Sequence, residues 1–411
     1  MSTKTKSYLP LKTTGQLRRT MEKHYLFARY HRWWGRPLKK PLAWVTSGAP
    51  VEILRVFGIY TVYPENYGAV CGTARASLPL CQEAENRGYV QDLCSYARSN
   101  LGAVFRPEIA PAGGLPAPDL LVACNNICGT VLKWYEVLAR HYRVPLFIID
   151  TPFVAGNGGP PAHAVDYVQG QLREMITGLE KLTGRRFSAA SLERHLLLSW
   201  EVVELWREIR YLCRNRPSPL NIPDMFLHLA PIVVMRGTKG AVAYYRKLLA
   251  EVKERVQKGV AAVSGEKYRL LWDNIAIWPR LFGFFKTFSE KGACFVVDTY
   301  AGGWAVEIFP GEPLESVARI YTGIFLNQGI AYRVRDMVRL IEEFAVDGFV
   351  MHSNRSCKPY SLIQEEIRRR VTAATGVPGL LVEADMTDPR AYAEEQVRTR
   401  VQAFLEALQS R

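Results

Sequence analysis

Long apolar runs are missing from this 411-residue chain. With no stretch of 18 apolar residues, no membrane-spanning helix is expected. The first 20 residues lack the apolar core of a secretory signal. They are Lys/Arg-rich and acid-poor, as transit peptides are, but the expected compartment is the cytosol. No GxGxxG, GxxxxGK(S/T), HExxH or GxSxG motif occurs. That excludes a dinucleotide fingerprint, a phosphate loop, a zincin site and a nucleophile elbow. The seven histidines show no metal-ligand spacing, and the cysteines show no compact ferredoxin-like spacing. There is no repeat or low-complexity tract. Apolar residues at 48% with charged residues at 22% exclude a disordered chain. Acids are scarce, 39 against 53 Lys and Arg, giving a net charge of +14. The surplus is local. Residues 1–40 hold eleven basic residues and one acid, Glu22, so they carry +10. Such a pattern argues against a broad phosphate-tracking face for nucleic acid.

The length predicts two or three domains. Eight short runs rich in Val, Ile, Leu, Phe and Tyr, each closed by turn or polar residues, read as strands. Four come early: Trp44–Ser47, Tyr60–Tyr63, Asp119–Ala123 and Pro145–Ile149. Four come late: Tyr268–Trp272, Ala293–Thr299, Gly348–His352 and Gly379–Glu383. Continuous apolar strands suit parallel sheets covered on both faces. The expected fold class is therefore α/β, with two parallel-sheet, Rossmann- or flavodoxin-like units. Between them, Leu172–Leu182, Ser191–Cys213 and Gly240–Gln257 read as helical. The expected organisation is a basic helical arm (1–40), a first α/β domain (41–165), a helical region (166–265) and a second α/β domain (266–411). In the last helix Asp388 is the expected cap, Pro389 lies in the first turn, and Tyr392, Val397, Val401, Phe404, Leu405 and Leu408 recur at helical spacing.

Ligands of open parallel sheets sit beyond the carboxyl ends of the strands. The sequence places Ser47-Gly48, Glu65, Cys124 to Cys128, Asp150, Asp298 to Tyr300 and His352 to Cys357 there. Polar and thiol groups thus gather where a cleft between the units would lie. Eight cysteines in a chain without a secretion signal read as thiols or metal ligands rather than disulfides. Cys213 and Cys294, in apolar surroundings, read as small buried hydrophobes. Glu65 reads either as a general base or as a carboxylate opposing a helix dipole. His352 and Cys357 form a candidate Cys/His pair for which the sequence supplies no orienting third residue.

The segments TSGAPVEILRVFGIYTVYPEN, GYVQDLCSYARSNLG, CNNICGTVLKWYE, YRLLWDNIAIW, GFVMHSNRSCKPYS and EADMTDPRAYAEEQVRTRVQAFLE run in order from about residue 41 to the C-terminus. They resemble the (R)-2-hydroxyacyl-CoA dehydratase and benzoyl-CoA reductase family. The resemblance implies a 4Fe-4S cluster in the cleft, held by three cysteines and leaving one iron without one. Those cysteines fall on Cys94 in DLCSYAR, Cys128 in NICGT and Cys357 in NRSCK, with Cys124 a near competitor for the middle place. Ser47 and Glu65 match the substrate-bearing subunit. The serine would bond the substrate carbonyl, and the glutamate would place or protonate the hydroxyl. Asn126, Asn354 and Arg355 are candidates for hydrogen bonds to the ligands or sulfides.

Further implied are a homologous second subunit in a heterodimer and a separate ATP-hydrolysing iron–sulfur activator. The implied reaction takes an acyl-CoA through a ketyl radical to a 2-enoyl-CoA. Neither ATP nor flavin, nucleic acid or membrane is expected on this chain. The alternatives are a subunit of ATP-dependent benzoyl-CoA reductase and an electron-transfer protein with a double-cubane cluster. A scaffold that has lost its cluster sits poorly with three retained cysteines. The basic arm precedes the first matching block. It is expected to dock on the partner subunit or guide the anionic CoA tail, with Tyr25, Phe27, Tyr30, Trp33 and Trp34 as apolar surface.

Overall fold

The computed structural model describes residues 10–30, 40–156, 158–307 and 311–410. Its frame is two four-stranded parallel sheets. The first contains β1 (Leu42–Val45), β2 (Tyr60–Val62), β3 (Leu120–Cys124) and β4 (Leu146–Ile149), in the order β2-β1-β3-β4. The second contains β5 (Tyr268–Asp273), β6 (Ala293–Asp298), β7 (Gly348–Asn354) and β8 (Gly379–Ala384), in the order β6-β5-β7-β8. β1, β3 and β6 are buried along their whole length. Burial on both faces explains why LAWV, LLVAC and ACFVVD show no polar alternation. All eight expected strands are present. β1 ends at Val45, two residues earlier than expected, its last ladder pair being Val45 with Val122. Thr46 and Ser47 therefore fall in the turn beyond it.

The two sheets share one strand order, as structural copies would. In that order the chain leaves the two inner strands in opposite directions. A crevice opens between the carboxyl ends of β1 and β3, and a second between those of β5 and β7. The connecting region consists mainly of the helices Ala162–Thr183, Ala189–Tyr211 and Lys239–Gln257. Ser188 caps the second and Thr238 the third, each accepting a backbone N–H three residues on. Among the described residues no helix is long and apolar enough to cross a membrane.

The end of the chain departs from expectation. Asp388 caps only the short turn Pro389–Ala391, and the last helix starts at Glu394. The Asp388 carboxylate is drawn across to Arg98 of the first unit at 2.9 Å, and Tyr392 and Ala393 are extended.

Lys12–Tyr30 is a helix lying on the body of its own chain. The amides of Lys12 and Thr13 donate to the Glu251 carboxylate at 2.5 and 2.9 Å. His24 Nδ1 meets the Tyr60 hydroxyl at 2.7 Å. Tyr25 donates to Asn66 Oδ1 at 2.5 Å, beside Glu65. Leu17 and Ala28 are buried, while Phe27 and Tyr30 are exposed. Trp33 and Trp34 lie outside the described residues. Deleting residues 1–30 therefore removes packed structure as well as charge. The Tm should fall by on the order of 5 °C in calorimetry; an unchanged Tm would show that the helix adds nothing to the body.

Candidate active site

Both crevices open onto one cavity of about 140 Å³. Ser47 and Gly48 after β1, and Ile127 and Cys128 after β3, line it from the first unit. Ile275 after β5, and Ser356 and Cys357 after β7, line it from the second. Glu65, on the first turn of the helix Pro64–Thr73, and Cys94 complete this part of the wall. Cys94, Cys128 and Cys357 thus share one space despite their separation in sequence.

Each of these thiols stands at the start of a helix. Cys94 is the cap residue of Ser95–Phe105, Cys128 lies two residues ahead of Thr130–Tyr142, and Cys357 leads into the single turn Lys358–Ser361. The Thr130 backbone N–H donates to the Cys128 sulfur at 3.3 Å, and the amides of Ala97 and Tyr360 act to lower the Cys94 and Cys357 thiols. These bonds and the positive helix ends favour thiolates. Burial opposes them. It pushes the Cys94 thiol up, with the neighbouring cysteines adding to the shift, and takes Cys357 to about 12. Thiols placed in this way ionise together around a positive centre. Among the described residues, no three His, Cys, Asp or Glu side chains close on a single metal ion. The three thiols instead face a shared space, and a soft polynuclear iron–sulfur group fits that donor set.

The two cysteine-bearing segments are tied directly to each other. Ser356 Oγ donates to Asp385 Oδ2 at 2.5 Å and accepts the Ser95 backbone N–H at 3.1 Å. Asp385 Oδ1 accepts the amides of Thr387 and Asp388, both at 2.9 Å. One turn further along the Cys94 helix, Arg98 forms its buried pair with Asp388.

Glu65 Oε1 accepts the Ser47 backbone N–H at 3.0 Å. Its Oε2 is buried without a partner. Burial lifts the Glu65 carboxyl from an ordinary 4.5 to about 7. A carboxyl held near neutrality on a cavity wall is suited to carrying a proton. Tyr96 and Tyr300 line the same cavity, and Trp278 Nε1 donates to the Tyr96 hydroxyl at 2.5 Å. Gly48 is required by space: a Cβ there would lie 2.2 Å from Asn126 Oδ1.

The remaining sequence candidates are placed as follows. Asn126 is buried behind the wall and donates to the carbonyls of Gly48 and Tyr321 at 3.0 and 2.7 Å, joining the two units. The Asn354 carbonyl accepts the Cys357 amide at 3.0 Å, and its Nδ2 is buried without a partner. Arg355 is mostly exposed, 3.8 Å from Glu383 and away from the cavity. Cys124 is buried in β3 with its sulfur 3.1 Å from Thr151 Oγ1, so Cys128 is the one that faces the cavity. Cys213 and Cys294 are fully buried. His352 donates from Nδ1 to the Ile275 carbonyl at 2.7 Å, and burial lowers it to about 4. It stays out of the cavity wall, so no Cys357–His352 pair faces the site.

Sequence reasoning missed two groups. Ser95 and Ser356, of the clasp, adjoin motif cysteines, which was the available signal. The other is Glu52, Arg236 and Tyr321. Arg236 Nε lies 3.0 Å from Glu52 Oε1, and the Tyr321 hydroxyl donates to Glu52 Oε2 at 2.6 Å. An acid inside the apolar helix VEILRV was the sign of a buried pair.

A family model described as 2-hydroxyglutaryl-CoA dehydratase, D-component, matches residues 46–408. The chain is 35% identical over 374 residues to the (R)-2-hydroxyisocaproyl-CoA dehydratase alpha subunit of Clostridioides difficile, covering 90% of this chain and 91% of that protein. It is 33% identical over 385 residues to the alpha subunit of lactoyl-CoA dehydratase from Anaerotignum propionicum, covering 90% and 91%. It is 29% identical over 373 residues to a benzoyl-CoA reductase subunit of Thauera aromatica, covering 86% and 85%.

The raised Glu65 value makes a pH prediction. The folded state holds this proton more tightly than the unfolded chain does. Stability is therefore full below about 4.5 and is lost as pH rises towards about 7. Glu65→Gln removes that loss, which is about 3 kcal/mol at most. Melting curves should show the variant gaining on the native protein between pH 5 and pH 8. An equal difference at both values would mean that Glu65 is ionised throughout.

Proposed function

Because the chain belongs to the 2-hydroxyglutaryl-CoA dehydratase D-component family, we propose that it is the cluster- and substrate-bearing subunit of a cytoplasmic (R)-2-hydroxyacyl-CoA dehydratase. The observation that carries this reading is the meeting of Cys94, Cys128 and Cys357 with Ser47 and Glu65 on one cavity. The three thiols would hold a 4Fe-4S cluster with one iron free of cysteine. When bound, such a cluster supplies a Lewis-acidic iron and one-electron chemistry. A separate ATP-hydrolysing iron–sulfur protein provides the electron, and a homologous second subunit completes a heterodimer. The designation of the relatives as alpha subunits supports a partner of that kind.

The reaction removes the 2-hydroxyl and a β-proton from an acyl-CoA, by way of a thioester ketyl radical, to give a 2-enoyl-CoA and water. Ser47, in the turn after β1, hydrogen-bonds the thioester carbonyl. Glu65 holds a proton at Oε2 and gives it to the departing hydroxyl, which leaves as water. The β-proton released by the substrate restores the proton balance, and the electron that made the ketyl is given back as the enoyl-CoA forms, so the dehydration is redox-neutral overall. Ile127, Trp134 and Ile320 on the wall keep bulk water from the radical. Ring reduction of benzoyl-CoA is the second reading, favoured by the similarity to the Thauera protein and by Trp134, Tyr300 and Trp304 on the wall. The products separate the two: an enoyl-CoA from a 2-hydroxyacyl-CoA, or a dienoyl-CoA from benzoyl-CoA.

Two variants test the assignment. Cys94→Ser should abolish the broad absorbance near about 400 nm in anaerobically purified protein. Retention of about four irons per chain in that variant would remove Cys94 from the ligand set. Glu65→Gln should keep the absorbance and lower turnover by roughly 100-fold. Full activity would take Glu65 out of the mechanism.

A further inference from the structure

The cavity carries a cation that has already been neutralised. Arg236 lines it, and among the described residues no other Lys or Arg does. Its guanidinium is buried and fully engaged on one side: Nε lies 3.0 Å from Glu52 Oε1, and Nη2 donates to the Tyr321 hydroxyl at 2.5 Å. Glu52 is in turn held by Ser199 Oγ at 2.7 Å. The nearest alternative, Arg333, sits behind the rings of Phe325 and Tyr360 and donates to the carbonyls of Pro359 and Leu326, both at 3.1 Å. The rest of the wall is largely apolar, with Ile127, Val131, Trp134, Ile275, Ile320 and Leu326 among its residues. Glu65, the one carboxylate among the described lining residues, repels anions when charged.

We propose that this pocket selects acyl groups with an uncharged hydrocarbon side chain, branched or aromatic, against acyl groups bearing a second carboxylate, and that the Glu52–Arg236 pair sets this choice. The inference rests on the thioester reading above. A second carboxylate entering the cavity would leave water and find Arg236 already bound to Glu52. A buried charge without a counter-charge is strongly disfavoured. A hydrocarbon side chain meets matching walls and disturbs nothing. Glu52 thus acts as a specificity residue by withholding Arg236, the repulsive element that selectivity generally requires.

The test uses the anaerobic holoenzyme with its partner subunit and three probes: (R)-2-hydroxyisocaproyl-CoA, (R)-phenyllactyl-CoA and (R)-2-hydroxyglutaryl-CoA. Equilibrium binding and dehydration are both measured. The first two should bind about 100-fold or more tightly than the third, and kcat/KM should follow. Equal or better handling of the dicarboxylate overturns the proposal. Binding in the expected ratio without dehydration of any probe would sink the dehydratase reading and leave this one standing. If no probe binds, both fall. Glu52→Gln frees Arg236 and should move the binding ratio towards the dicarboxylate by about 10-fold. An unmoved ratio in a folded variant removes Glu52 from the choice; where that variant does not fold, the ratio in the native enzyme decides.

Discussion

One hydroxyl, that of Ser356, bonds both halves of the molecule at their cysteines. It accepts the Ser95 amide from the first unit and donates to Asp385 at the end of β8. Asp385 has no cation against it in this network; its charge is balanced by hydroxyl and amide dipoles. A buried carboxylate of this kind fixes its neighbours, because every bond it loses exposes an unmet polar group. The positions of Cys94 and Cys357, each one residue from a member of this network, follow from it. The Arg98–Asp388 pair supports the same joint a turn away. The cavity is therefore a seam held from both sides rather than a hole in one domain.

The sheets were legible in the sequence, and the site was legible only in part. Strands buried on both faces must be apolar throughout, and such runs as LLVAC and ACFVVD are hard to hide. Helix ends depend on competing partners. The Asp388 cap was misplaced because its carboxylate answers to Arg98, almost three hundred residues earlier in the chain, which no local pattern reveals. The cysteines are similar. Their spacing carries no metal signature, since the crevices of two separate sheets bring them together. The strand-end rule pointed Cys128 and Cys357 to a common cleft, and only the motif blocks added Cys94. Arg355 looked like a member of that site because it lies two residues from Cys357, yet the backbone at that turn aims it at Glu383 and solvent.

Polar atoms without partners mark the same place. Glu65 Oε2, Asn126 Oδ1 and Asn354 Nδ2 are buried and unmet, and all lie at the cavity or directly behind its wall. The Glu52–Arg236–Tyr321 group beside them is, by contrast, closed on itself. Two acceptors and a donor thus stay open beside three thiols, where a bound group could meet them.

The strand order has a consequence for how the protein is made. Synthesis runs from the amino end, and units fold as they emerge. The first sheet places Ser47 and Cys128 at its crevice while β5 to β8 are still untranslated, and the Cys94 segment still lacks the Ser356 and Asp388 partners that fix it. A nascent chain at that stage presents two thiols on an open crevice, with neither the third thiol nor the clasp that would close it. The thiols are then open to oxidation and to stray metals. The three thiols share one space only after β7 is made, and the period before it appears is when the chain most needs a reducing cell.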